Sequence, residues 1–369
     1  MLSLYRGLVA GILLAGLAAL CMDPANVGAQ DKKGKTAKEE VAERGVGITT
    51  SDGLSLKGYW FQGTAIEKNN PDAVIMVPAP GNKINDSWIW LAKALSEKNF
   101  SVLLFDWRGV GLNGPDGVGA GVGILVDKTR FWDEPYNGRL LGSSKATIER
   151  RGLEYSKIYP VGNSAGSYRD FMFMNDLLAA RFFLDQENDR GKCNTNRVWI
   201  ISEKEGSQLG MAFIATEFQR NTNYDIRDTI IDFNKPFKSA GKDYIGIMSL
   251  SYSGSNTTAA KIYRNALPPL GANQAVKDAK DHLTDQLAMV LMYKKGDGGP
   301  SRTLLNSVGA TGSEADLKPK YKYPKEFDIK AMKPISGIDL VDPADTFKVR
   351  EYVVTAMVEI SKKNPVGKA

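Results

Sequence analysis

The chain has 369 residues, of which 48 are Lys or Arg and 42 are Asp or Glu, for a net charge of +6. Apolar residues make up 43% and charged residues 24%, values that exclude a disordered chain, a collagen-like chain and a protein of many membrane-spanning helices. Two cysteines exclude a disulfide scaffold and a cysteine-based zinc module, and a single histidine excludes any site that needs two.

The first 29 residues have the pattern of a secretory signal peptide. Arg6 precedes an unbroken apolar run over residues 8–20, and residues 27–29 (Val-Gly-Ala) are the compact residues that a signal peptidase recognises. The apolar run is shorter than the roughly 20 residues that span a bilayer. We therefore predict cleavage near Ala29 and export to the periplasm or the extracellular space. An uncleaved membrane anchor is the alternative.

Cleavage would remove Cys21 and leave Cys193 as the single thiol. We expect Cys193 to be a small buried hydrophobe, with pairing between chains as the alternative. Residues 30–45 are rich in Lys, Glu and Gly and predict a flexible linker, and residues 365–369 form a short C-terminal tail. The positive charge is spread along the chain, which favours an envelope ligand over nucleic acid.

Residues 46–364 alternate between strand and helix patterns. An Asp52-Gly53 turn between alternating segments predicts an opening hairpin over residues 46–61. Continuous apolar runs predict buried strands, and helical spacing of apolar residues predicts the connecting helices. The predicted strands are 73–77, 101–106, 197–201, 244–250 and 288–293, with a weaker one at 326–332. The predicted helices are 86–98, one from near 168 through 183, 207–218, 276–287 and 347–360.

This alternation predicts an α/β fold with a mostly parallel central sheet and helices on both faces. The chain's functional loops should then lie at the carboxyl ends of the strands. Residues 112–167 are glycine-rich at first and too long for a plain connection. We interpret them as an insertion, similar to a cap, over the ends of the strands.

Four segments in this order resemble the α/β-hydrolase superfamily: AVIMVPAPG at 73–81, FDWRGVGLN at 105–113, VWIISEKEGSQLG at 198–210 and VLMYKKGDGGP at 290–300. The second segment is the most specific. It is similar to the D-x-R-G-x-G-x-S element of the family, with Asp106, Arg108, Gly109 and Gly111 matching and Asn113 at the Ser position. The resemblance covers residues 46–364 and implies an α/β-hydrolase-like domain.

The resemblance also implies where a catalytic triad would stand. In the family a strand is followed by the nucleophile turn G-x-S-x-G and then a helix. Here Ser202 stands for the first glycine, Gly206 for the last, and Lys204 for the nucleophilic serine. A protonated lysine is not a nucleophile, and Glu203 and Glu205 beside it favour the protonated form.

The other triad-equivalent positions are Asp297, where the family has its acid, and Ser336, where it has its histidine. The oxyanion-loop equivalents are Pro80, Gly81 and Glu205. Ser336 is not a base near neutral pH, and an acid without an imidazole to orient does not catalyse acyl transfer. The only histidine, His282, lies on the predicted helix before strand 288–293, on the wrong side of that strand to reach the turn.

Three other motifs are weaker indications of function than the four segments described above. Residues 162–166 spell G-N-S-A-G around Ser164, but the preceding segment is polar and contains Pro160 instead of a buried strand. Residues 109–114 spell G-x-G-x-x-G without the helix that a dinucleotide site needs. Residues 318–325 interleave lysine and tyrosine and are interpreted as a solvated loop. No cofactor and no metal site is predicted.

Two hypotheses follow. The first is an exported pseudo-hydrolase that lacks an intact triad and binds an anionic ligand or a partner near Lys204, with no membrane span once the signal peptide is removed. The second is an active ester or acyl hydrolase with a non-standard nucleophile, Ser164 or Ser207.

Overall fold

A computed structural model describes residues 44–51, 55–64, 70–108, 110–113, 166–218, 239–253, 286–295, 297–302, 322–327, 336–341, 346 and 348–364. The predicted signal peptide, nearly all of the predicted linker, Ser164, His282 and most of the 112–167 insertion lie outside the described residues.

One eight-stranded sheet organises the domain. The strands are β1 (Gly45–Thr49), β2 (Ser55–Phe61), β3 (Asp72–Val77), β4 (Phe100–Phe105), β5 (Asn194–Glu203), β6 (Tyr244–Leu250), β7 (Ala288–Lys294) and β8 (Lys322–Phe327). Their spatial order is β1-β2-β4-β3-β5-β6-β7-β8. Strands β1 and β2 form the predicted hairpin, β2 pairs antiparallel with β4, and all remaining pairs are parallel. The prediction of a mostly parallel sheet is confirmed.

In the described part of the chain, four helices pack on this sheet: α1 (Asp86–Glu97), α2 (Gly166–Asp189), α3 (Gly206–Glu217) and α4 (Val349–Lys363). Helix α1 contacts α4, and α2 contacts α3. The indole N–H of Trp199 on β5 donates to Ser361 on α4, whereas its neighbour Ile200 lies against Gly210 on α3. Because successive strand residues point to opposite faces, the two helix pairs cover opposite faces of the sheet.

Some predicted boundaries were wrong. The last strand covers Lys322–Phe327, not 326–332, so the end of the Lys- and Tyr-rich segment 318–325 lies in a strand and not in a loop. Pro324 is tolerated there because β8 is an edge strand with a partner on one side only. Gly45 belongs to β1, so the linker cannot extend through it. Leu112 and Asn113, at the start of the predicted insertion, belong to a short 3₁₀ turn at Gly111–Asn113.

Cys193 is fully buried at the approach to β5. Its Sγ donates to the carbonyl oxygen of Leu184 at 3.3 Å. Burial, aided by the nearby carboxylates of Asp185 and Glu187, raises the pKa of the thiol to about 12. The thiol is therefore protonated and inaccessible, which confirms the prediction of a small buried hydrophobe.

A buried arginine joins α2 to the sheet. The side chain of Arg181 is 2% exposed. Its Nη2 donates to the carbonyl oxygen of Thr195 at 3.0 Å and to Asp243 Oδ2 at 2.9 Å, and its Nε donates to Asp185 at 3.1 Å. The guanidinium lies 5.6 Å from the centre of the Tyr244 ring. These contacts fix α2 against β5 and the segment that leads into β6.

We predict that Arg181→Met lowers the free energy of unfolding by about 3–5 kcal/mol, because it removes one partner of the buried ion pair with Asp243. Arg190→Met is the matched control. Arg190 is 61% exposed and shares Glu187 with Lys192, so its loss should cost no more than about 1 kcal/mol. Urea denaturation of both variants measures the difference. Equal losses in the free energy of unfolding would contradict the claim that the buried contacts of Arg181 stabilise the fold.

Candidate functional site

A sharp turn connects β5 to α3. The strand ends at Glu203, Lys204 and Glu205 form the turn, and α3 begins at Gly206. Lys204 has φ +45°, a left-handed conformation that is uncommon for a residue other than glycine. Its N–H donates to the carbonyl oxygen of Leu250 at the end of β6, at 3.0 Å. The turn therefore places Lys204, half-buried, at the carboxyl edge of the sheet.

Gly206 explains why α3 can start so close to β3. A Cβ atom on Gly206 would lie 2.5 Å from the carbonyl oxygen of Pro78 and 2.8 Å from that of Val77. Any side chain would collide with this backbone, so only glycine allows the approach. The turn and the 78–82 loop that follows β3 are in this way brought together.

The carboxylate of Glu203 connects three segments of the site. The residue is fully buried. Its Oε1 accepts hydrogen bonds from the N–H of Ala79 at 3.1 Å and from Asn82 Nδ2 at 2.9 Å. Its Oε2 accepts from the N–H of Ile338 at 2.7 Å. One side chain thus holds the 78–82 loop and the 336–341 segment to the end of β5.

The 78–82 loop has few backbone donors left for a ligand. Pro78 and Pro80 have no N–H, the N–H of Ala79 is bound to Glu203, and that of Asn82 donates to the carbonyl oxygen of Ala79 at 2.9 Å. Within the described part of the chain, the N–H of Gly81 is the loop's one amide without a partner. Gly81 has φ +95°, a conformation that suits glycine alone.

The side chain of Lys204 lies alongside the 336–341 segment. A Cβ atom on Gly337 would be 2.9 Å from Lys204 Cε and 2.3 Å from Glu203 Oε2, and Gly337 has φ +66°. Ser336, half-buried, immediately precedes it. The structure therefore brings the Lys204 turn and the Ser336 segment together. Among the described residues, no hydrogen bond or ion pair engages Lys204 Nζ.

Glu205 differs from Glu203 in its surroundings. It is exposed, and its carboxylate accepts a hydrogen bond from Ser253 Oγ at 2.9 Å. Its backbone N–H lies at the N-terminus of α3, where helix amides have no intrahelical partner. Across the described ranges, the N–H of Glu205 has no hydrogen-bond acceptor. Of the predicted oxyanion-loop equivalents, Gly81 and Glu205 therefore each have a backbone N–H that could donate to a ligand.

Asp297 stands apart from the other two triad-equivalent residues. It follows β7, and its N–H donates to the carbonyl oxygen of Lys294 at 3.0 Å in a tight turn. It is exposed. In the described structure no hydrogen bond joins its carboxylate to Lys204 or Ser336. Asp297 therefore shares the carboxyl edge of the sheet with them without being coupled to them.

The D-x-R-G element, which begins at Asp106, has a structural role. It contacts the segment after β3 at Ile84, beyond the 78–82 loop. Asp106 accepts hydrogen bonds from the N–H groups of Ile84 at 2.8 Å and Leu112 at 2.9 Å. Burial raises the pKa of its carboxyl, although these two amides oppose the change. Arg108 Nε donates to Asp176 on α2 at 2.8 Å, and both side chains are buried. This element fixes loops and a helix around the site.

Ser207 does not have the surroundings of a nucleophile. It is fully buried behind the turn. Its Oγ accepts from Ser202 Oγ at 3.0 Å and shares a hydrogen bond with Ser249 Oγ at 2.5 Å. Its hydroxyl faces other hydroxyls of β5 and β6 and not the sheet edge. The other proposed nucleophile, Ser164, lies outside the described residues.

Sequence reasoning missed the importance of Glu203 and Asn82. It treated Glu203 only as a charge beside Lys204. One signal was present: Glu203 ends an otherwise apolar strand, and a carboxylate in that position must be paired if it is buried. Which donors pair with it depends on contacts across more than 100 residues of sequence.

The topology defines the class of fold. A mostly parallel eight-stranded sheet with an antiparallel second strand, helices on both faces and a sharp strand-to-helix turn after β5 is the α/β-hydrolase fold. The fold predicted from the sequence is confirmed.

Solved structures similar to this chain include esterases and a lipase. Esterase Est22 in complex with p-nitrophenol is 11% identical, with 85% of this chain and 79% of that chain covered and a TM-score of 0.44. Brefeldin A esterase, described as a bacterial homologue of human hormone-sensitive lipase, is 13% identical over 86% and 76%, with a TM-score of 0.44. The esterase domain of a Rhodothermus marinus protein is 12% identical over 85% and 97%, with a TM-score of 0.42.

No protein-family model and no curated protein matches the chain. In the described ranges, no three or more His, Cys, Asp or Glu side chains are grouped so that they could hold a metal ion. None of the helices described here has the length and apolar character needed to cross a membrane.

Proposed function

We propose that this protein is a ligand-binding pseudoenzyme that binds an anionic ligand at Lys204 and does not hydrolyse esters. The observation that carries the proposal is the residue at the turn after β5. Lys204 occupies the position, and has the left-handed backbone, that the fold uses to present a nucleophile.

The argument against hydrolysis is chemical. A protonated lysine has no free electron pair with which to attack a carbonyl carbon. Ser336, which precedes the Gly337 that lies against the Lys204 side chain, has no basic group to accept a proton. Asp297 is exposed and not hydrogen-bonded to either residue in the part of the chain that the structure describes, and without an imidazole to orient it has no catalytic role.

The argument for an anionic ligand is electrostatic. Lys204 Nζ has no internal partner among the described residues, so its charge is available to a ligand. Within the described ranges, two backbone amides have no acceptor: that of Glu205 in the turn itself, and that of Gly81 in the loop that Glu203 holds next to the turn. The positive end of the α3 dipole adds to the potential there. A carboxylate could accept from the amides while its charge is neutralised by the lysine. Export by the predicted signal peptide would place this binding in the cell envelope or outside the cell.

We predict that the purified protein does not release p-nitrophenol from p-nitrophenyl esters of short to long acyl chains. The Lys204→Ser/Ser336→His double variant should gain measurable turnover, because it restores a hydroxyl and an imidazole at positions that the structure brings together. Lys204→Ser alone, which lacks a base, is the matched control and should remain silent.

Turnover by the wild-type protein would contradict the proposal, whether or not it persists in Lys204→Ala. It would move the search to another nucleophile. Labelling by a serine-directed phosphonate probe, mapped to a single residue, would then identify it.

We also predict that the protein binds octanoate more tightly than octanamide, its neutral analogue. Lys204→Met should weaken octanoate binding by at least about tenfold, because it removes the cation and leaves the amides. Lys98→Met removes the same charge from the exposed end of α1 and should change the affinity by no more than about twofold. Calorimetric titration measures all three affinities, and an unchanged affinity in Lys204→Met would contradict a ligand site at this lysine.

A further inference from the structure

We propose that Glu203 is the positioning residue of the Lys204 site: its buried carboxylate holds the 78–82 loop and the 336–341 segment in place on either side of the lysine. Two experiments below test this inference. The first measures ligand binding and rests on the proposed function, whereas the second measures the release of the loop and needs no ligand.

The two carboxylate oxygens are divided between the two segments. Oε1 accepts from Ala79 and Asn82, and Oε2 accepts from Ile338. Among the described residues, no hydrogen bond joins the 78–82 loop directly to the 336–341 segment. Glu203 is therefore the polar link between them, and it is the residue that immediately precedes Lys204.

The link requires a carboxylate and not merely a polar side chain of the same shape. All three groups that face Glu203 are N–H donors, so both oxygens must accept. Glutamine has one accepting oxygen and one donating NH₂ group. In Glu203→Gln one of the two segments would therefore meet a donor where it needs an acceptor, and would be released.

The position of Gly337 extends the argument to Lys204. The site where its Cβ would be lies 2.3 Å from Glu203 Oε2 and 2.9 Å from Lys204 Cε. The carboxylate and the lysine side chain thus line the same stretch of the 336–341 segment. When that segment is displaced, the surface against which the Lys204 side chain packs is displaced with it.

A positioning role and a pure charge effect predict opposite results. Removal of a negative charge beside Lys204 strengthens the attraction of the site for an anion. Loss of the link instead misplaces the lysine and the amide of Gly81, which weakens binding. The sign of the change in affinity therefore distinguishes the two roles.

The test compares Glu203→Gln with Asp339→Asn in the full protein. Asp339 is exposed in the same 336–341 segment, and its substitution removes the same charge without removing a link. We expect Glu203→Gln to weaken octanoate binding by about tenfold and Asp339→Asn to change it by no more than about twofold. Unchanged or tighter binding in Glu203→Gln would overturn the positioning role.

Limited digestion with trypsin supplies the readout without ligand. Lys83 is exposed next to the 78–82 loop, whereas Lys93 lies within α1 and is cut only when that helix unfolds. In Glu203→Leu, which removes both accepting oxygens and so releases both segments, cleavage after Lys83 should accelerate by about tenfold relative to cleavage after Lys93. Equal acceleration at both sites would mean general destabilisation, and no acceleration would mean that Glu203 does not hold the loop; either result overturns the inference.

These two measurements separate the claims. If wild-type protein does not bind octanoate while Glu203→Leu releases the loop, the proposed ligand site fails and the link stands. If octanoate binds through Lys204 while Glu203→Gln leaves its affinity unchanged and Glu203→Leu leaves cleavage after Lys83 unchanged, the ligand site stands and the positioning role fails.

Discussion

The buried carboxylate of Glu203 is the constraint on which the geometry of this site depends. A charge that is fully removed from water must be compensated, and three N–H donors from two distant segments provide the compensation. Because those donors come from the loop after β3 and the segment before α4, the need to satisfy one side chain assembles the carboxyl edge of the sheet. Loops that would otherwise be independent are thereby held beside Lys204.

At this edge of the sheet, the backbone geometry and the chemistry of the side chains indicate different functions. The left-handed turn after β5 and the close approach permitted by Gly206 are features that support an exposed nucleophile. The side chain presented there is a lysine, and the neighbouring segment contributes Ser336. A fold supplies positions and the residues at those positions supply the reaction, so this fold does not by itself imply hydrolysis. In our proposal the Lys204 cation, with the nearby amides that have no acceptor among the described residues, serves binding instead.

The sequence predicted the parts of the structure that depend on local pattern. Apolar runs identified β3 to β7, and the turn residues identified the β1–β2 hairpin, because a buried parallel strand and a tight turn each leave a short-range signal. The last strand was placed too late, since β8 is an edge strand whose Lys and Pro residues resemble a loop. The link through Glu203 was not predicted, because its partners are 121 to 135 residues away in sequence. Local pattern contains no information on which donors will meet a buried acid.

Amide hydrogen exchange, resolved by NMR at Ala79 and Ile338, tests the central claim most directly. In the wild-type protein both amides should exchange as slowly as Val74 in the buried β3 strand, because Glu203 holds them. In Glu203→Gln at least one of the two should exchange about tenfold faster or more while Val74 is unaffected. Rapid exchange of both amides in the wild type, or protection that survives Glu203→Gln, would contradict the account.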